Sequence, residues 1–176
     1  WIIISCRRMD GRPLLSSQDH LRSLDTYSIH QHSLMRTETI SIQTSSSFSC
    51  HAITNQIESI IQCGIQLEGV VCVSCLHTTT ALIVNEMEER LILDLEKWLK
   101  ELAPPLQGYK HDDLQLRDNI PEDEPKNAHS HMQALLLGND VSVPFKDGKL
   151  QLGQYQDVIL VELDGPKKRN VVVSIQ

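Results

Sequence analysis

Four histidines, His77, His111, His129 and His131, stand where packing does not call for a polar side chain. His77 follows the apolar run "GVVCVSCL", His111 lies in the polar segment "YKHDD", and His129 and His131 open "NAHSHMQALLLG". Imidazole is the commonest protein ligand for zinc and similar borderline metals, and three histidines with an open fourth position form a catalytic metal site. In a helix, His129 and His131 differ by about 200° around the axis, so only one of them can readily join a site shared with the others. Asp112, Asp113 and Asn127 are on hand to orient the second nitrogen of a working ring.

His77 begins "HTTTALIVNE". The hydroxyls of Thr78, Thr79 and Thr80 can donate to a phosphate or carboxylate, and β-branched residues are equally at home at a strand edge. Asn85 and Glu86 fall at the mouth of a helix, where a cap and a first-turn acid are expected. Cys72 and Cys75 form one C-x-x-C, but strand residues three apart point to opposite faces, so they read as small core-compatible residues rather than metal ligands.

The elements that must position these groups follow from periodicity. Residues 1–34 are rich in Ser, His, Gln and Arg without a sustained period, and they read as a disordered N-terminal extension, with Met9 and Met35 both possible starts. His20, His30 and His32 fall within it. Residues 35–176 read as a single domain. "TETISIQT" alternates as an opening strand, and "SSSFSCHAITNQIESIIQCG" reads as a helix with a serine N-cap and Gly64 just past its end. "GVVCVSCL" reads as a buried central strand, and residues 86–102 as an amphipathic helix stopped by Pro104 and Pro105. Residues 108–125 form a long loop of the kind that often carries function. A short helix over 128–137 opens at Asn127 and ends at Gly138. Four strands then follow with turns at "KDG" and "DGPKK", giving an antiparallel C-terminal meander and an α+β class.

Composition excludes several roles. A formal charge of −7 argues against nucleic acid as a partner, since "PKKR" (residues 166–169) is the only local basic run and reads as a solvated loop or strand edge. No apolar run approaches the roughly 20 residues of a membrane span. Five irregularly spaced cysteines do not resemble a secreted disulfide framework, so a reducing, cytoplasmic location is expected.

Taken together, "HTTTALIVNE", "YKHDD", "NAHSHMQALLLG", "VSVPFKDGKLQLGQYQ" and "VELDGPKKRNVVV" resemble, in order and spacing from about residue 35 onward, the YjbQ-like family, also called UPF0047. The resemblance implies an α+β fold of mostly antiparallel sheets with a few packed helices, trimerising around a threefold axis with pockets near subunit contacts. It implies that His77, His111 and His131 are the functional histidines, as catalytic groups and metal ligands, which leaves His129 as the spare. Thr78, Thr79 and Asn127 become substrate-binding candidates. The function it implies is a weak thiamine-phosphate synthase acting on phosphorylated small molecules. Such chemistry usually calls for Mg²⁺ and oxygen ligands, whereas three histidines suit zinc, nickel, cobalt or iron. A metal-dependent hydrolase or lyase, or a metabolite-binding trimer without turnover, is therefore the alternative. Three positions depart from the family pattern: Gln133 replaces a lysine, Gln154 a threonine and Tyr155 a tryptophan.

Overall fold

A computed structural model of the chain describes residues 35–176. The extension read over residues 1–34, with its histidines, lies outside the described residues. The described part contains strands β1 (Arg36–Gln43), β2 (Ser49–Ala52), β3 (Glu68–Cys75), β4 (Thr80–Asn85), β5 (Asp140–Lys146), β6 (Lys149–Leu150), β7 (Asp157–Glu162) and β8 (Lys168–Ile175). Its helices are α1 (Thr54–Gln62), α2 (Glu89–Leu102) and α3 (Ala128–Leu137). A five-stranded sheet has the order β1-β8-β3-β5-β6 and a three-stranded sheet the order β2-β7-β4, with every pairing antiparallel. The α+β reading therefore holds.

Side-chain alternation stacks these pieces in layers. Val71, Val73, Val171 and Val173 of the large sheet meet Leu82, Val158 and Leu160 of the small sheet, with Ile57 and Ile61 of α1, in a first core. The opposite face of the small sheet, through Ala81, Ile159 and Val161, packs on Leu99 of α2 and Ala134 of α3 in a second. Sandwiched between two cores, β7 is the strand with both faces buried, which explains its unbroken "VILV". The expectation attached that pattern to residues 69–76 instead. β3 is indeed interior to its sheet, but its faces alternate between buried and half-exposed.

Other expectations shift for local reasons. The serine run leads into a turn and the short strand β2, and α1 starts after Ile53 with no side-chain cap. α2 begins at Glu89 rather than residue 86, because the Glu88 carboxylate accepts from the backbone of Arg90 and Leu91 and caps the helix there. Glu86 and Asn85 thus do not cap α2. α3 matches its expected bounds, and Gly138 ends it at φ 89°, a conformation that glycine adopts without steric cost. The C-terminal strands are not a meander: β5 and β6 pair as a hairpin, but β7 leaves for the small sheet and β8 returns between β1 and β3.

One buried ion pair ties the end of the small sheet to the large one. Glu162 ends β7 fully buried and accepts from Arg169 Nε at 2.6 Å and Nη2 at 2.5 Å, from Thr44 Oγ1, and from the backbone of Leu163 and Asp164. Arg169 is therefore no solvated edge residue. The connection is so tight that a Cβ on Gly165 would lie 2.2 Å from the Ser46 carbonyl oxygen. Burial alone would raise the Glu162 pKa, but the Arg169 and backbone hydrogen bonds outweigh it and hold the carboxyl below its ordinary 4.5. Its stabilising contribution is present above the unfolded-state value and lost as pH falls through the folded one. Removing one member of a buried pair strands the other, so Glu162→Gln is expected to cost about 3–5 kcal/mol in urea unfolding at pH 7. That cost should shrink toward pH 4; a pH-independent cost below about 1 kcal/mol, the range of an exposed pair, would contradict the assignment.

Candidate functional site

The segment from residue 76 to 79 crosses from the large sheet to the small one, and β8 pins it. Leu76 N donates to the Asn170 carbonyl, Asn170 N donates to His77 Nε2 at 2.8 Å, and Arg169 Nη2 donates to Thr79 Oγ1 at 3.1 Å. The imidazole extends the sheet ladder by standing in for the next main-chain acceptor. A neutral ring that accepts at Nε2 carries its proton on Nδ1. His77 therefore offers a donor, not a second lone pair.

The first turn of α3 forms the facing wall. Asp112 Oδ1 accepts from Ala128 N, so Asp112 caps the helix from the loop, while Asn127 stands at the cap position without capping and donates instead to Asp164 Oδ2. The His111 and His131 rings meet edge to face with centroids 4.8 Å apart. His111 Nε2, Asp112 Oδ2 and Asn127 Oδ1 are all buried without a hydrogen-bond partner among the described residues.

His77 and His131 line the same two hollows. One, of about 360 Å³, is polar and includes Thr78, Thr79, Asn127, Asp164, Lys167 and Arg169; the other, of about 350 Å³, adds the Ala134 and Leu135 flank of α3. Burial first and the Arg169 charge second hold His77 below its ordinary 6.5, and burial first and His111 second do the same for His131. Both shifts favour the neutral ring, in which His77 donates from Nδ1 and His131 can hydrogen-bond or accept a proton.

Of the sequence candidates, His77, Thr78, Thr79, Asn127 and His131 share one cleft, with His111 behind His131. Thr80 is fully buried with its hydroxyl unpartnered among the described residues, and it lines the floor of the second hollow beside His77 and His131. His129 faces away into a separate hollow with Phe48, Glu96 and Lys100, as the helical offset from His131 requires. The expected three-histidine metal set is not gathered: among the described residues no group of three His, Cys, Asp or Glu side chains is poised to hold an ion. His77 is the member that fails to fit, since its Nε2 is engaged by Asn170. His111 and His131 fit as two ligands. The thiols of Cys50 and Cys75 are pushed up to about 11, chiefly by burial, and are unreactive at neutral pH.

Comparison with known proteins agrees with this architecture. The sequence pattern of the family described as UPF0047 protein YjbQ-like matches residues 38–176. The chain belongs to that family. A UPF0047 protein of Archaeoglobus fulgidus is 41% identical over 122 residues, which cover 69% of this chain and 86% of the relative. The crystal structure of a YbjQ-like protein of unknown function from Sulfolobus solfataricus P2 superposes with a TM-score of 0.70 at 33% identity, covering 80% of this chain and 96% of that one. A hypothetical protein of Aeropyrum pernix K1 gives a TM-score of 0.71 at 28% identity, covering 80% and 98%.

Within this UPF0047 fold the three departures lie away from the cleft. Buried Gln133 donates to the Leu99 and Ala103 carbonyls at the end of α2, a packing role, while Gln154 and Tyr155 are exposed in a turn. The sequence reading missed Glu162, Asp164, Lys167, Arg169 and Asn170. A signal was present: Arg169, Val171, Val173 and Ile175 alternate onto one face, which places the arginine inward and demands a buried anion. An NMR titration of His131 is expected to give a midpoint below 6.5 that rises in His111→Ala, because a neighbouring charge is lost; a wild-type midpoint at or above 6.5 would contradict the geometry.

Proposed function

We propose that the cleft between residues 77–79 and the start of α3 performs chemistry on a phosphorylated small molecule, with weak thiamine-phosphate synthase activity as its measurable reaction. The observation that supports this reading is the pair of neutral imidazoles lining one cleft with the Thr78 and Thr79 side chains and Lys167. In that reaction the thiazole ring nitrogen bonds to the pyrimidine methylene carbon. The bond from that carbon to the diphosphate oxygen breaks, and its electron pair leaves with pyrophosphate. His77 Nδ1–H, Thr78 and Lys167 are donors for the departing oxygens, and His131 positions the group.

The electrostatics favour a secondary rather than a strong activity. Lys167 is paired with Asp164 at 2.5 Å and Arg169 with Glu162, so little cationic charge is left for a diphosphate. Asn127 Oδ1, buried and unpartnered beside the cleft, is an oxygen of the class that Mg²⁺ prefers, and Mg²⁺ bound there with the substrate would neutralise phosphate charge.

A second reading is favoured by the unpartnered, buried His111 Nε2: a zinc-type ion held by His111 and His131 in a hydrolase or lyase, or in a binding protein without turnover. We also propose a homotrimer, in keeping with exposed Met132, Leu135 and Leu136 on α3 beside the cleft. Light scattering should then return three times the 19.9 kDa chain mass.

The test is formation of thiamine phosphate from the pyrimidine diphosphate and thiazole phosphate by purified protein. His131→Ala should lower the rate at least about 10²-fold. Inorganic pyrophosphate should raise the melting temperature of the wild type and not of that variant. An unchanged rate in His131→Ala, or turnover that zinc chelation removes while Mg²⁺ does not restore it, would overturn the synthase reading.

A further inference from the structure

Four ionised side chains line the polar hollow of the histidine cleft, and each already has an ionic partner. Glu124 pairs with Arg117, and Arg169, only 4% exposed, is committed to Glu162 and to Thr79 Oγ1. Lys167 differs. Its side chain is 43% exposed and ends in a single ammonium on a flexible four-carbon stem, whereas the Asp164 side chain that holds it is 16% exposed. Of the two cations in the lining, Lys167 is the one that can turn to a ligand without unpacking a core.

Asp164 is anchored independently of that pair. Its backbone N donates to Glu162 Oε1, and its Oδ2 accepts from Asn127 Nδ2 at 2.7 Å as well as from Lys167 Nζ at 2.5 Å. The carboxylate therefore stays in the hollow when the ammonium leaves it. A ligand anion must compete with Asp164 for Lys167 and then lie beside the charge it has uncovered. A singly charged group exchanges one negative partner of Lys167 for another and leaves one charge uncompensated. A diphosphate brings several, and like charges at close range in a partly dry site oppose one another steeply.

We infer that Asp164 is a specificity-determining residue of this cleft: it holds Lys167 back and selects a substrate whose phosphate carries one charge, as in a diester, over one that carries a diphosphate. This selection rests on the cleft being the phosphate site proposed above, and it gives the weakness of diphosphate chemistry there a cause. Asp164 acts through Lys167, so its role is one of positioning.

The test is calorimetric titration of the full chain, without divalent metal, with pyrophosphate and with dimethyl phosphate, a singly charged diester. The wild type should bind the diester at least as tightly as pyrophosphate. Asp164→Asn keeps the side-chain shape and an oxygen for Asn127 Nδ2, and it should tighten pyrophosphate about tenfold or more and the diester by a smaller factor. Lys167→Met should weaken both anions. When Asp164→Asn is added to Lys167→Met, the pyrophosphate gain should fall below about threefold, because the ammonium that the first change frees is missing. A merely structural role for Asp164 would not produce a gain that depends on Lys167. Unchanged melting curves will identify folded variants, and the wild-type comparison stands without them. Pyrophosphate bound more tightly than the diester by the wild type, no pyrophosphate gain in folded Asp164→Asn, or a full gain without Lys167 would each overturn the inference and leave the phosphate site standing. No binding of either anion to the wild type or to Asp164→Asn would overturn both.

Discussion

The carboxylate of Glu162, fully buried at the end of the strand shared by both cores, sets the geometry on which the cleft depends. A charge in that position is tolerable only with most of its lone pairs satisfied, and the chain supplies five donors: two from Arg169, one from Thr44 and two from the backbone. The donors come from three parts of the connection between the sheets: Arg169 on β8, Thr44 just after β1, and the two residues that follow β7. Arg169 is held at a fixed height on β8, and its Nη2 reaches on to Thr79. The ion pair thereby fixes the crossing segment that carries His77. Its cost in desolvation is offset by positional definition, the use to which buried polar networks are best suited.

His77 joins structure and chemistry in one ring. Its Nε2 completes the hydrogen bonding of the β8 backbone, and that bond dictates the tautomer and leaves a donor at Nδ1. An alanine there would leave the Asn170 N–H without its partner, at a cost of about 1–3 kcal/mol. Loss of activity in such a variant would therefore mix two effects. The His131 ring carries no such backbone duty among the described residues. Its neutrality comes from burial and from the His111 ring, and it is the better probe of function. The edge-to-face contact between those two rings leaves His111 Nε2 buried without a partner, a gap that a water, an ion or a ligand group would fill.

Much of the fold is legible in the sequence because the pattern there is strong. The bounds of α3 follow from Asn127 and Gly138, and the hairpin of β5 and β6 from Asp147-Gly148, whose φ values of 51° and 75° are what that turn requires. What periodicity cannot convey is partnership across the chain. "GVVCVSCL" and "DVILVEL" look alike in sequence, but only the second lies between two cores, and that difference exists only after the small sheet has inserted under the large one. The serines before α1 satisfy any local rule for a cap, and the tertiary demand for β2 beside β7 overrides it. Site residues divide the same way. His77, His131, Thr78, Thr79 and Asn127 announce themselves as polar groups in apolar settings. Asn170 acts through its backbone and gives no sequence signal at all, and Arg169 was masked by the two lysines beside it.

The main chain of β8 holds His77 as the neutral Nδ1–H tautomer, which presents a donor to the cleft, and nitrogen-15 NMR of the histidine rings at pH 7 tests this directly. A pyridine-like, hydrogen-bond-accepting Nε2 and a protonated Nδ1 are expected for His77, with the Asn170 amide shifted by its bond to the ring. A protonated Nε2 on His77, or a fully charged imidazolium at that pH, would contradict it and would reopen His77 as a metal ligand or a cationic phosphate clamp.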